Sequence, residues 1–151
     1  MTSGVITSLG MIVGLNSATS SRLVVIASVI ILAIADGLSD AVGVHISEES
    51  ELEKGTAKHT QKEIWAATIF TFISKLTFTL TFAVPFLILP LRNAVFVAIA
   101  WGILLLVFLN FAIARVKQEN SVILISEHVL LALFVIVISH GIGHLVARLV
   151  G

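Results

Sequence analysis

The chain has 151 residues, of which 58% are hydrophobic and 12% charged, and its mean hydropathy is +1.10. This apolar content exceeds that of a soluble domain and predicts an all-α integral membrane protein with one transmembrane domain over residues 1–151. The absence of cysteine excludes disulfides and thiolate chemistry, and a formal net charge of zero without a basic cluster excludes nucleic acid as a partner.

Five segments predict membrane-crossing helices, because about 20 apolar residues are needed to cross about 30 Å of hydrocarbon. In chain order they cover about 4–20, 22–46, 64–91, 94–114 and 122–149. The first segment is diluted by Ser, Thr, Gly and Asn and lacks the positive start of a cleaved signal peptide, so we expect it to stay in the fold. Its Gly10 and Gly14 have the spacing that lets two helices approach closely, which predicts dimer packing through this helix.

The connection over about 47–63 is predicted to be a cytoplasmic helical segment that turns back near Gly55. Five crossings place this connection, the N-terminus and 115–121 on one side of the membrane. That side carries five basic residues, which are Lys54, Lys58, Lys62, Arg115 and Lys117. The other side carries three, which are Arg22, Arg92 and Arg148. The positive-inside bias therefore predicts a cytoplasmic N-terminus. The expected location of this multi-pass protein is the cell membrane, or the vacuolar membrane in a eukaryote.

Charged residues inside the apolar segments predict a buried acidic cluster. Asp36 and Asp40 lie one turn apart in the second helix, Lys75 falls at a similar depth in the third, and Glu127 lies early in the fifth. A charge in mid-bilayer is costly unless it faces a cavity or a partner, so such groups usually mark an ion path. The three acids are therefore candidate metal ligands, with Lys75 as an ion-pair or gating group. The structural alternative is that Asp36 and Lys75 only fix helix packing while Asp40 is hydrated at the interface.

Two further groups are candidate metal sites. The glutamates of the 47–63 connection, Glu48 and Glu51 foremost, could attract cations, although a charge run is more often a solvated helix face. The other candidate metal ligands in the 47–63 connection are Glu49, Glu53, His59 and Glu63. His140 and His144, one turn apart near the outer end of the fifth helix, could form an outer-side metal or proton site. Interfacial packing or hydrogen bonds to carbonyl groups explain these histidines equally well.

Four stretches carry a resemblance to a known family. "GVITSLGMIVGL", "ADGLSDAVGVHISEESE", "AVPFLILPL" and "FAIARVKQENSVILISEHVLLALFVIVISHGIGHLV" together resemble the vacuolar iron transporter family over nearly the whole chain. The resemblance implies a homodimer of five-helix subunits that exports Fe²⁺ or Mn²⁺ from the cytosol in exchange for protons. It also implies an ion path between the subunits, with the first helices near the two-fold axis, and no permanently bound cofactor.

Three positions depart from that family's pattern. Ser3 precedes Gly4 where the family has an acid, and Asp40 stands where the family has a methionine that can touch the metal. The connection is also short where many members carry a long glutamate-rich insertion. A carboxylate at 40 is a harder ligand than a thioether and favours ions that prefer oxygen.

Two functions follow from these residues. The first is a proton-coupled divalent metal exporter, and the second is a non-transporting membrane scaffold or assembly protein that keeps the fold. An enzyme is not expected, because the sequence contains no HExxH, GxSxG or cysteine nucleophile.

Overall fold

The computed structural model describes residues 2–53 and 60–150, and these residues form six helices and no strand. The helices are α1 (Thr2–Thr19), α2 (Arg22–Glu53), α3 (Gln61–Thr81), α4 (Val84–Ile88), α5 (Leu91–Lys117) and α6 (Ser121–Val150). The predicted turn at Gly55, the candidate ligand His59 and the side chain of Glu53 lie outside the described residues. The all-α prediction is confirmed, and the predicted fifth segment is α6.

Local sequence explains where α3 begins and ends. Thr60 caps its start, since the Thr60 backbone N–H and hydroxyl both donate to Glu63 Oε2, at 2.7 and 2.9 Å. The predicted helix over 64–91 is divided into α3 and α4. Pro85 lacks an N–H and its ring would clash with the carbonyl of Thr81, so the helix is interrupted there.

Four helical stretches are long and apolar enough to cross a membrane, where the sequence predicted five. They are Arg22–Leu52, Gln61–Ile88, Leu91–Lys117 and Ser121–Val150. The stretch left out is α1, whose 18 residues include several Ser, Thr and Asn. Much of α1 is buried, because it packs against α2, α5 and α6. Its buried residues are mostly small or apolar and include one hydroxyl, that of Ser8, which donates to the Gly4 carbonyl oxygen at 2.7 Å.

The core forms around α1. Leu9 and Ile12 are fully buried among side chains of α2, α4 and α5, including Val25 and Phe86. A Cβ at Gly102 of α5 would lie 2.7 Å from Leu9 Cδ2, so this glycine lets α5 approach α1 closely. Large apolar side chains on the outer faces of α2, α3, α5 and α6 are exposed, which fits contact with lipid.

The glycines of α1 pack against α6 of the same chain, and a dimer contact through them stays a prediction. A Cβ at Gly10 would lie 2.6 Å from Val135 Cγ1, and one at Gly14 would lie 3.3 Å from the Ser139 carbonyl oxygen. From the other side, a Cβ at Gly143 would meet the carbonyl oxygen of Gly14. The GxxxG spacing therefore marked a close helix contact, but the partner helix is α6.

Arg22, at the start of α2, caps the C-terminal end of α4 through hydrogen bonds. Its Nε donates to the Phe86 carbonyl oxygen and its Nη2 donates to that of Leu89 at 2.8 Å. These carbonyls lie at the C-terminal end of α4, where no intrahelical donor remains for the last turn. Arg22 therefore ties α2 to the end of the interrupted helix.

We expect the substitution Arg22→Gln to lower the free energy of unfolding by about 1–3 kcal/mol, because two hydrogen bonds from a charged donor are lost. Thermal unfolding in detergent, followed by circular dichroism at 222 nm, measures the change. Arg148→Gln is the control, because Arg148 is exposed in the last turn of α6 and has no partner within the described chain. Equal loss in both variants would contradict the assigned role of Arg22.

Candidate ion site

An ion triad of Asp36, Asp40 and Lys75 lies between α2 and α3. Lys75 Nζ is 2.7 Å from Asp36 Oδ2 and contacts Asp40 Oδ2 directly. The contact with Asp36 is an ion pair that lacks hydrogen-bond geometry, whereas Nζ donates a hydrogen bond to Asp40. The two acids reach one ammonium group because residues four apart share a face of α2.

Helix α1 closes one side of this triad. A Cβ at Gly4 would lie 2.9 Å from Lys75 Cε and 3.3 Å from Asp36 Oδ2, so a larger residue there would require Lys75 to shift. The remaining cavity beside Lys75 has a volume of about 10 Å³. Its lining among the described residues is mostly apolar and includes no carboxylate, so this side offers no acidic ligand for a further ion.

The opposite side of the triad is open. The side chain of Lys75 is 4% exposed, but those of Asp36 and Asp40 are 25% and 41% exposed. Two carboxylates and one ammonium group carry a formal net charge of −1, since −2 + 1 = −1. The site therefore presents carboxylate oxygens and a negative charge to whatever lies beside this face of α2.

Glu127 is not part of this site, which corrects the predicted cluster of three acids. Glu127 is exposed on α6, and α6 packs against α1 and α5 with no extensive contact to α2. Among residues 2–53 and 60–150, no three Asp, Glu or His side chains are placed to hold a metal ion together. The matching depth of Glu127 and Asp40 did not reveal that α1 lies between their helices.

The acidic side chains of the connection are spread over α2 and α3. Glu48 is half-buried and lines a pocket of about 230 Å³ with Glu63, which also caps α3. Glu51 is exposed near the end of α2. These residues form a polar surface at the end of the helix pair and do not reach the triad.

His45 has a structural position that sequence reasoning left undefined. Its Nδ1 is 3.1 Å from Thr68 Oγ1, and its ring lies 4.4 Å from that of Trp65. Its Nε2 is 3.9 Å from Glu49. His45 therefore joins α2 to α3 one turn beyond Asp40, on the side toward the glutamates.

His140 and His144 form an exposed pair at the opposite end of the bundle. Their rings lie 4.5 Å apart in an edge-on arrangement, and His140 Nδ1 is 2.7 Å from Ser17 Oγ. Within the described chain no third acid or histidine completes a metal site there. The contact with Ser17 ties α6 to α1, in agreement with the packing alternative.

Two residues of the interior were missed from the sequence. Gly4 of α1 is one of them, and its lack of a side chain allows α1 to approach Lys75 closely. Asn110 of α5 is fully buried, with its Nδ2 donating to the Leu106 carbonyl oxygen at 2.8 Å and its Oδ1 without a partner among the described residues. The signal for Asn110 was a single amide in an otherwise apolar segment.

Neither a protein-family model, a curated protein nor a solved structure matches this chain. The resemblance to vacuolar iron transporters therefore stays a prediction from the quoted residues.

Proposed function

We propose that this protein is a divalent metal cation transporter that exports Fe²⁺ or Mn²⁺ from the cytosol by proton antiport. The observation that carries the proposal is the pair Asp36 and Asp40, one turn apart on an apolar helix and open on one side. Carboxylates at such a depth are costly, and they usually belong to a path for ions or protons. Their oxygens suit Mn²⁺ and, with less preference, Fe²⁺.

Lys75 would compete with the metal ion for the carboxylates of Asp36 and Asp40. Its ammonium group contacts one oxygen of each acid, which leaves the other two oxygens for an incoming ion. A divalent ion is attracted to the net negative triad, while the ammonium repels it at short range. Binding of the metal and movement of Lys75 are therefore coupled, and protons can replace the metal on the carboxylates after its release.

The proposal includes a homodimer in which α1 is a fifth crossing and the N-terminus is cytoplasmic. The exposed edges of Asp36 and Asp40 lie on a face that their own subunit does not cover. A second copy placed against this face would shield the acids from lipid and bring four carboxylates together. Glu48 and Glu51 would then lie toward the cytoplasmic entrance of the path.

Transport can be measured with purified protein in proteoliposomes. We expect Mn²⁺ and Fe²⁺ flux that responds to the sign of an imposed pH gradient. The double variant Asp36→Asn with Asp40→Asn should lower this flux at least about tenfold, because even outer-sphere changes at metal sites cost about 10–100-fold. Glu119→Gln is the matched control, since Glu119 is exposed in the turn between α5 and α6.

Because the double variant leaves Lys75 without an anion, its folding is verified by circular dichroism and size exclusion. A triple variant that also carries Lys75→Met provides a neutral site. The absence of flux under both gradients, or equal flux in the wild type and a folded triple variant, would contradict the transporter.

The competing candidate is a non-transporting membrane scaffold or assembly protein. It is favoured by the contact of Lys75 with both acids, which neutralises one of their two negative charges within the chain, and by the closed cavity next to Gly4. This candidate predicts no metal at the acids and a partner that co-purifies in stoichiometric amount. Anomalous scattering from crystals soaked in Mn²⁺ separates the two, because ion density beside Asp36 and Asp40 is expected only for a transporter.

A further inference from the structure

Charge is divided unequally between the two ends of the bundle. All nine acidic residues fall within 36–63 or 119–127, from the middle of α2 to the end that holds the connection. The opposite end, where α2 and α5 begin and α6 finishes, carries Arg22, Arg92 and Arg148 and no acid. We call it the arginine end.

Arg92 is a free cation at this end. Arg22 is engaged by the carbonyls of α4, but Arg92 is exposed in the first turn of α5 and forms no ion pair or hydrogen bond within the described chain. Pro90, the N-cap of α5, provides no side-chain cap, so the first backbone N–H groups of the helix also lack a side-chain partner. A positive side chain next to a positive helix end favours an anion.

Arg92 lies beside a groove between α1, α5 and α6 with a volume of about 540 Å³. Ser20 and His140 also line it, while further along the groove the lining is apolar and includes Val95 and Ile99. Ile99 lies seven residues beyond Arg92, which corresponds to about 10 Å along the helix axis. The groove thus changes from polar to apolar along the direction that leads from the membrane surface into the hydrocarbon.

We propose that this groove binds a phospholipid, with the phosphate on Arg92 and one acyl chain along Val95 and Ile99. The order of polar and apolar groups in the groove matches that of the lipid, and Arg92 provides the charge complementary to the phosphate. A free phosphate would leave the apolar walls without a partner. The site lies at the other end of the bundle from the ion triad, so it does not depend on the proposed transport.

The test uses delipidated full-length protein in detergent, titrated with phosphatidylglycerol and observed by native mass spectrometry. We expect one saturable lipid per chain. Arg92→Gln should weaken its affinity about fivefold, the effect of one basic side chain near an anionic head group. Arg148→Gln should leave affinity within about twofold, since Arg148 belongs to the same end but does not line the groove.

Two further binding measurements test whether the protein recognises the acyl chain as well as the phosphate. Ile99→Trp fills the apolar part of the groove and should also weaken binding, in protein whose circular dichroism confirms folding. Glycerol 3-phosphate, which has the phosphate without acyl chains, should not bind at the same concentration.

Three results would overturn the proposal: equal losses in the Arg92 and Arg148 variants, binding of glycerol 3-phosphate as tight as that of the lipid, or equal binding of uncharged diacylglycerol. The first result would indicate general electrostatics, the second a free-phosphate site and the third an apolar groove that does not recognise phosphate.

Discussion

The substitution Lys75→Met is expected to lower the free energy of unfolding by about 3 kcal/mol. Removing one partner of a buried ion pair costs about 3–5 kcal/mol, because the remaining charge is left without compensation. The lower end of that range applies, since Asp36 and Asp40 are partly exposed whereas Lys75 is buried. Chemical or thermal unfolding in detergent, followed by circular dichroism, measures the loss.

Lys62→Met is the matched control, because Lys62 is an exposed lysine on the same helix with no partner in the described part of the chain. Its effect should stay within about 0.5 kcal/mol. Adding Asp36→Asn and Asp40→Asn to Lys75→Met should recover most of the lost stability, since no charge then remains. If Lys75→Met lowers the free energy of unfolding no more than Lys62→Met does, the triad does not stabilise the fold.

The same variant separates the two proposed functions. Loss of the ammonium changes the formal charge of the site from −1 to −2, so a transporter should bind Mn²⁺ more tightly and the metal should raise the unfolding temperature. A scaffold should show no specific change with metal, because its acids serve only the helix contact. The comparison uses Mn²⁺ in protein already shown to be folded.

The substitution Gly143→Ala should destabilise the protein by about 1–3 kcal/mol, the usual cost of inserting atoms into a packed contact. Its new Cβ would meet the carbonyl oxygen of Gly14 and would lie 2.8 Å from Ser17 Cβ. Backbone cannot move aside as the end of a side chain can, so α1 and α6 must separate. The change is measured by thermal unfolding in detergent.

Gly141→Ala is the control, two residues away on the same helix, because a Cβ there meets nothing within 4 Å. Alanine is favoured over glycine in a helix interior by about 1 kcal/mol, so this variant should be neutral or more stable. Only Gly143→Ala is thus expected to lower the free energy of unfolding. Equal effects would show that helix propensity and not the α1–α6 contact determines the result.

The helices and the depth of their charges were predictable from sequence. The apolar segments, the caps and the prolines are local signals, so the helical start near Arg22 and the interruption at Pro85 follow from nearby residues. Asp36 and Asp40 share a face because of helical periodicity, and the rise per residue places Lys75 at their depth in an antiparallel neighbour. The structure brings these three residues together.

Which helix packs against each helix face was not predictable from the sequence. Glu127 has a depth that suits Asp40, but α1 separates α6 from α2. Gly10 and Gly14 mark a close contact, but many helices can accept a small-residue face, and α6 does so within one chain. The same holds for α1, whose packing against α2, α5 and α6 could not be read from its own residues.

By itself the sequence determined that the chain is an all-helical membrane protein and that two acids and a lysine occur at one depth, since composition, periodicity and helical rise are properties of each segment. Only the tertiary structure decided that Lys75 contacts both acids, that Gly4 closes the site on one side, and that Arg92 lies beside a groove between three helices. Those contacts depend on how helices distant in sequence pack, and packing is determined by the combined shapes of all the faces that meet.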